Sequence, residues 1–143
     1  MQGGTGNDIY VVDTLEDTVI EPGTNSGIDE IRSYISYSIN FINRITGPNG
    51  FPTSGQRPQI ENLMLLGRSN INGTGNNTNN QIFGNSGNNT LKGLDGNDTI
   101  TGGAGNDIIT GGAGSDTFNV DAGSDTITDL SASDIFVVST GAT

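Results

Sequence analysis

Apolar residues recur every nine positions through the second half of the chain. Read from Gly75, seven consecutive nonapeptides follow one another without a gap, and the eighth position of each is apolar. These apolar positions are Ile82, Leu91, Ile100, Ile109, Phe118, Ile127 and Phe136. Positions seven to nine predict a very short strand in which only position eight faces inward. Two nonapeptides then form one flattened coil of about 18 residues, and successive coils stack as parallel strands about 4.8 Å apart.

The sixth position of the repeat is predominantly acidic. It is aspartate in five of the seven nonapeptides, namely Asp98, Asp107, Asp116, Asp125 and Asp134, and asparagine in the first two, Asn80 and Asn89. Because turns alternate between the two edges of the stack, residues 18 apart come to lie above one another, which places acidic columns on both edges. Carboxylates stacked about 5 Å apart repel unless a cation lies between them. Calcium suits such a place, since it takes six to eight oxygen ligands from carboxylates and backbone carbonyls.

Glycines occupy the turns that would supply those carbonyls. Glycine at repeat positions one, two and four allows φ > 0 and lets carbonyl groups point inward. The predicted turn residues of the metal sites are Gly93, Gly96, Gly102, Gly103, Gly105, Gly111, Gly112, Gly114 and Gly123. Gly3 to Val11 repeats the pattern at the other end of the chain, which adds Asp8 as a candidate ligand. The last two nonapeptides lack some turn glycines and predict a fading or capping end.

Charge and composition narrow the possible functions. The 143 residues include 23 glycines and only 31% hydrophobic residues, and the net charge is −11. Residues 1–31 carry seven acids and residues 93–143 carry eight, with no base in either segment. Such a field makes nucleic acid an improbable partner, and no apolar run approaches the length of a membrane span. The absence of cysteine and histidine excludes disulfides, cysteine- or histidine-ligated metal and Ser–His catalysis. We therefore do not expect an enzyme.

The nonapeptide pattern resembles the RTX (repeats-in-toxin) family of hemolysin-type calcium-binding repeats, whose signature is G-G-x-G-x-D-x-U-x. Gly102 to Thr110, Gly111 to Asn119 and Gly3 to Val11 fit that signature in full. The resemblance implies an all-β fold, a parallel β-roll (a β-helix-like solenoid) that binds Ca²⁺ through its turns. It also implies a bacterial protein, extracellular or on the cell surface, that folds when it meets calcium. Its partners would be a type I secretion system and a larger parent chain.

We expect one solenoid over residues 1–143 and no α-helix. It divides into an N-terminal repeat block at 3–31, irregular middle coils at 32–69 and a C-terminal repeat block at 70–137. Residues 28–40 alternate as strands do, residues 44–58 predict an exposed proline-rich loop, and residues 60–66 predict a strand that rejoins the stack.

The sequence leaves several interpretations open, for single residues and for the function. Asp17 and Asp29 are either ligands or solvated turn acids, whereas Asp95 and Asp121 are off register and read as surface acids. Asn80 and Asn89 are either weak calcium turns or members of an amide ladder. The alternative function is binding of ice or another surface through outward threonines, which are Thr99, Thr101, Thr110, Thr117, Thr126 and Thr128.

Overall fold

The chain folds into short parallel strands joined by tight turns. The structure is a computed structural model, and it describes residues 1, 3, 5–19, 27–40 and 60–139. Within these ranges there are twelve strands and no helix. The strands are β1 (Ile9–Val12), β2 (Glu30–Ser33), β3 (Tyr37–Ser38), β4 (Asn62–Leu65), β5 (Gly73–Thr74), β6 (Gln81–Phe83), β7 (Thr90–Asp95), β8 (Thr99–Thr101), β9 (Ile108–Ala113), β10 (Thr117–Val120), β11 (Thr126–Ile127) and β12 (Ile135–Val138).

The strands form two parallel sheets between which the chain alternates. The first sheet has seven strands in the order β1-β2-β4-β6-β8-β10-β12, and the second has five in the order β11-β9-β7-β5-β3. From β6 onward each strand pairs with the one 18 residues later, as in Ile82 opposite Ile100 and Leu91 opposite Ile109. The predicted all-β, parallel β-roll of stacked 18-residue coils is therefore confirmed.

The core is a thin ladder of inward side chains between the sheets. In the first sheet the paired positions are Tyr10, Ile31, Leu63, Ile82, Ile100, Phe118 and Phe136. Most of these side chains are buried, as are Leu91 and Ile109 in the second sheet. Most strands contribute only one or two inward side chains, which is enough because the neighbouring coils above and below cover them. This arrangement explains how a chain with so few hydrophobic residues forms a core.

The last coil departs from the prediction that every eighth position is buried. Phe136 pairs in register with Phe118, yet it is 49% exposed, whereas Phe118 is fully buried. β12 is the edge strand of its sheet, so no further strand among the described residues covers Phe136 from the far side. All four residues of β12 are exposed.

The middle of the chain joins the same sheets. β2 and β3 lie within residues 28–40, and β4 lies within 60–66, where it pairs with both β2 and β6. The predicted strands are therefore present, and the first sheet runs without interruption from β1 to β12. The proline-rich loop predicted at 44–58 lies outside the described residues. No helical segment of the described residues is long and apolar enough to cross a bilayer.

Candidate calcium-binding turns

The side chains at repeat position six are buried in the first five nonapeptides and partly buried in the last two, at Asp125 and Asp134. Asp98, Asp107 and Asp116 are each 1% exposed. Each comes directly before a short strand, and the inward residue two positions later anchors that strand in the core. The local fold therefore holds the carboxylates inside the turns, next to apolar core side chains that cannot balance their negative charge.

One oxygen of each carboxylate binds the neighbouring coil. Oδ1 of Asp116 accepts a hydrogen bond from the backbone N–H of Asp98 at 2.9 Å, and Oδ1 of Asp125 does the same for Asp107 at 2.9 Å. Oδ1 of Asp98 accepts the N–H of Asn80 at 2.8 Å. These bonds confirm that residues 18 apart stack on one edge. They fix each carboxylate in position and leave its second oxygen available.

That second oxygen has no hydrogen-bond partner at three positions in the described part of the chain. Oδ2 of Asp98, Asp107 and Asp125 is buried and unpaired. An unpaired buried carboxylate oxygen is costly, because burial removes its water and nothing replaces it. Cations bound in these turns would satisfy the three atoms.

The glycine at position one keeps the space beside the carboxylate open. A Cβ built on Gly102 would lie 2.6 Å from Oδ2 of Asp107, closer than any real contact of a Cβ atom. A Cβ on Gly93 would clash with Oδ2 of Asp98 and would lie 2.5 Å from the carbonyl oxygen of Gly111, in the next coil. We call this space the cradle: it lies beside a position-one glycine and is lined by the position-six side chain of the same turn. In the Gly93 turn, a carbonyl of the following coil also lines it.

The glycines at positions two and four give the turns their backbone shape. The six predicted glycines at these two positions all have φ in the left-handed region: Gly96, Gly103, Gly105, Gly112, Gly114 and Gly123. Leu94 takes position two in the Asp98 turn and also has a positive φ, of 93°. A left-handed φ is rare for a bulky side chain. In the Asp98 turn the stack thus imposes this conformation on a residue that disfavours it.

The acidity of the carboxylates reflects their surroundings. Burial raises the pKa of Asp98 to about 7, against the opposing effect of the Asn80 N–H, and the Asp116 charge raises it further. Burial likewise raises the pKa of Asp107 to about 6. The pKa of Asp134 is instead lowered, chiefly by the N–H of Asp116 and then by that of Ser131. The buried charges of Asp98 and Asp107 are therefore compensated by only one backbone N–H each, whereas the carboxylate of Asp134 accepts two.

The last two predicted aspartates have less open turns. Val120 and Asp129 stand at position one, where the other turns have glycine, so each turn carries a Cβ beside its carboxylate. Both oxygens of Asp134 already accept N–H bonds, from Asp116 at 2.9 Å and Ser131 at 2.7 Å. The Asp129 carboxylate accepts the N–H groups of Gly111 and Gly112 and so caps the preceding turn.

The edge of the roll that carries Asp8 and Asp29 also includes Glu61, an acid that the repeat pattern did not assign. The N–H of Asp8 donates to Oδ1 of Asp29 at 2.8 Å, and the N–H of Asp29 donates to Oε2 of Glu61 at 2.8 Å. Asp29 is fully buried, so the interpretation of Asp29 as a solvated turn acid is wrong. Asp17 accepts the N–H groups of Asp13 and Thr14 within its own turn, as a turn acid does. The sequence signal for Glu61 was its place two residues before the inward Leu63.

Calcium suits these donors. The described residues contain no group of three or more acidic side chains close enough to hold a metal together. Each cradle instead offers one carboxylate oxygen, and the Gly93 cradle also presents the Gly111 carbonyl. A hard cation with flexible, oxygen-only coordination accepts such a mixture of carboxylate and carbonyl ligands, whereas softer metals prefer nitrogen or sulfur.

Comparison with known families identifies the repeats. The pattern of the RTX calcium-binding nonapeptide repeat, which spans four copies, matches residues 74–109 and 93–127. The chain carries RTX repeats. The matched residues include the cradles of Asp98, Asp107 and Asp116, and the cofactor of RTX repeats is Ca²⁺. Comparison with the curated proteins gives no match.

Proposed function

We propose that the RTX coils of this chain bind Ca²⁺ between successive turns and that the ion completes their fold. The observation that carries the proposal is the pair of buried, unpaired oxygens on Asp98 and Asp107. The first site lies between the turns of Asp98 and Asp116, and the second between those of Asp107 and Asp125. A third, weaker site joins Asp116 to Asp134, whose oxygens already accept hydrogen bonds. Asp8 is the proposed ligand of the N-terminal block.

Calcium-dependent folding follows from the balance of forces in the acidic coils. Residues 93–143 contain eight acids and no base, and the buried apolar side chains of the described residues there are only Ile100, Ile109, Phe118 and Val120. Without the ion, charge repulsion and chain entropy oppose folding. An ion that binds only the folded coils stabilises them by about 1.4 kcal/mol per site when its concentration is ten times the Kd.

The setting that fits this behaviour is extracellular. Extracellular calcium modules typically have Kd values of about 10⁻⁴–10⁻³ M, so such sites stay empty in cytosol and fill outside the cell. We propose that the chain, one solenoid over residues 1–143, belongs to a secreted or surface bacterial protein exported unfolded by type I secretion. Its role is to bind the ion and not to catalyse a reaction.

The surface-binding alternative gains little from the outward threonines. In the first sheet the outward column reads Gln81, Thr99, Thr117 and Ile135, so only two threonines are adjacent. Thr110 and Thr128 form a second pair, with 2.7 Å between their hydroxyl oxygens. Two short pairs do not make a continuous ladder, and we therefore favour calcium binding.

Circular dichroism and calorimetry test the proposal together. We expect millimolar Ca²⁺ to increase the β signal, with Mg²⁺ much less effective because it demands near-ideal octahedral geometry. Asp107→Ala should lower the number of bound ions, whereas Asp95→Ala, at an exposed position, should not. A fully folded spectrum in excess chelator, or equal losses in the two variants, would contradict the proposal.

A further inference from the structure

Two sets of turns in the C-terminal block differ at position two as well as at position six. In the turns of Asp98, Asp107 and Asp116, position two is Leu94, Gly103 or Gly112. In the two preceding turns, asparagine occupies both positions: Asn76 with Asn80, and Asn85 with Asn89. We call these two the asparagine turns and the other three the aspartate turns.

The asparagine turns satisfy their own buried polar groups. Oδ1 of Asn89 accepts the N–H of Asn85 at 2.9 Å. Nδ2 of Asn89 donates to the Ile71 carbonyl at 2.6 Å and to Oδ1 of Asn85 at 3.1 Å. Asn80 makes the matching bonds, with Nδ2 donating to the Glu61 carbonyl and to Oδ1 of Asn76, each at 3.2 Å. In contrast to Oδ2 of Asp98 and Asp107, no buried amide atom of Asn80 or Asn89 lacks a partner.

The backbone of the asparagine turns differs from that of the aspartate turns. Asn76 and Asn85 do not have positive φ, whereas all three position-two residues of the aspartate turns do. Gly87, at position four, also lies outside the left-handed region, although the matching Gly96, Gly105 and Gly114 lie within it. Oδ1 of Asn85 accepts the Gly87 N–H at 2.8 Å, which closes an Asx turn in place of the left-handed conformation.

We propose that the asparagine turns bind no calcium and that asparagine at position two decides this. In each of them the Nδ2 group of Asn80 or Asn89 takes the place of the ion, because it donates to a carbonyl of the preceding coil and to a side-chain oxygen of its own turn. The inference rests on the proposed function, because it states which turns that function leaves out. It implies that the coils around Asn80 and Asn89 keep their fold when calcium is removed and support the aspartate coils that follow.

Changing position six alone should not create a calcium turn. In Asn89→Asp, a carboxylate oxygen replaces the Nδ2 group and faces the Ile71 carbonyl and the Oδ1 atom of Asn85, which are both acceptors. The added charge therefore gains no cradle while Asn85 stays in place. Adding Asn85→Gly removes that side chain and permits a left-handed φ, and Gly84 and Gly87 already provide positions one and four.

The test counts bound ions by calorimetry in three variants and the unchanged chain. We expect Asn89→Asp to bind the same number of ions as the unchanged chain and Asn85→Gly/Asn89→Asp to bind one more. The matched control is Asn88→Asp, which adds the same charge at an exposed position and keeps the oxygen that accepts the Asn106 N–H. One additional ion in Asn89→Asp alone, or none in the double variant, would overturn the inference.

A second measurement separates this inference from the proposed function. In excess chelator the unchanged chain should keep part of its β signal, and Asn89→Asp should reduce that part more than Asn88→Asp does. Equal spectra for these two variants would overturn the inference even if the chain bound no calcium. If the unchanged chain bound no calcium but the two variants still differed in chelator as expected, the proposed function would be wrong and the inference about the asparagine turns would stand.

Discussion

Alanine in place of Gly102 tests whether the cradle is the place where the ion binds. Gly102 does not have a left-handed φ, so alanine fits its backbone and the change acts only through the added methyl group. That Cβ would lie 2.6 Å from Oδ2 of Asp107, whereas ordinary contact begins at 3.4 Å. The carboxylate oxygen must therefore move by about 0.8 Å (3.4 − 2.6). It cannot swing freely, because Oδ1 of Asp107 is held by the Asn89 N–H at 2.8 Å.

A movement of this size exceeds what calcium coordination tolerates. Metal–ligand distances vary by only about 0.2 Å, so we expect the displaced oxygen to coordinate the ion poorly. Changes to residues that only support a ligand lower metal affinity by about 10–100-fold, and we expect Gly102→Ala to lower the affinity of the Asp107 site by at least about that much. Crowding of the turn should also destabilise the fold by about 1–3 kcal/mol.

Calcium titration calorimetry and thermal melts measure the two effects separately. The matched control is Gly73→Ala, whose Cβ would lie 3.2 Å from the Cδ2 atoms of Leu63 and Leu91 and near no carboxylate. We expect both variants to melt at lower temperature and only Gly102→Ala to lose an ion. If Gly102→Ala bound the full number of ions with unchanged affinity, the assignment of the ion to this cradle would be wrong.

Two further predictions concern the aspartate turns. The pKa of Asp98 is raised to about 7, so the folded state keeps a proton that the unfolded chain loses above about pH 4. The free energy of unfolding in chelator should therefore fall as pH rises from about 4 to 7. For this one group the decrease is at most about 1.4 kcal/mol per pH unit. Circular dichroism in chelator should accordingly show more β structure at pH 5 than at pH 8, and an unchanged or opposite trend would contradict the buried carboxylate. Leu94→Gly should raise the melting temperature, because a left-handed φ costs a bulky residue about 1–2 kcal/mol and the entropy loss of glycine offsets only about half of that. A lower melting temperature would show that the contacts of the Leu94 side chain matter more than its backbone strain.

Much of the architecture was predictable because each repeat position has a single physical role. The inward residue every nine positions predicted the sheets, and the 18-residue offset predicted which side chains stack, as the bond from the Asp98 N–H to Asp116 shows. The exposure of Phe136 was not predictable from its position, since burial depends on the coil beyond it and not on the repeat itself.

The candidate site was predictable in its ligand types and less so in its details. Glu61 joins the edge that carries Asp29 without any turn glycine near it, so only its spacing to Leu63 indicated its place. The hydrogen bonds of Asn76 and Asn85 could not be predicted either, because they depend on the backbone angles at position two, which differ between turns of the same repeat. A periodic pattern reports which residues align, but it does not report which atoms find partners.

The hydrogen bonds between coils also determine how calcium binding at one turn affects the next. Oδ1 of Asp116 holds the N–H of Asp98, while Oδ1 of Asn97 holds the N–H of Ser115, so adjacent coils are joined by side chains pointing in both directions. An ion that orders one turn thereby orders part of the next turn before that turn has bound its own. Stacks in which each unit contacts only its neighbours behave as one-dimensional cooperative systems. The acidic coils should accordingly fill with calcium in one steep, cooperative transition rather than as independent sites, so the chain would respond to a threshold calcium concentration.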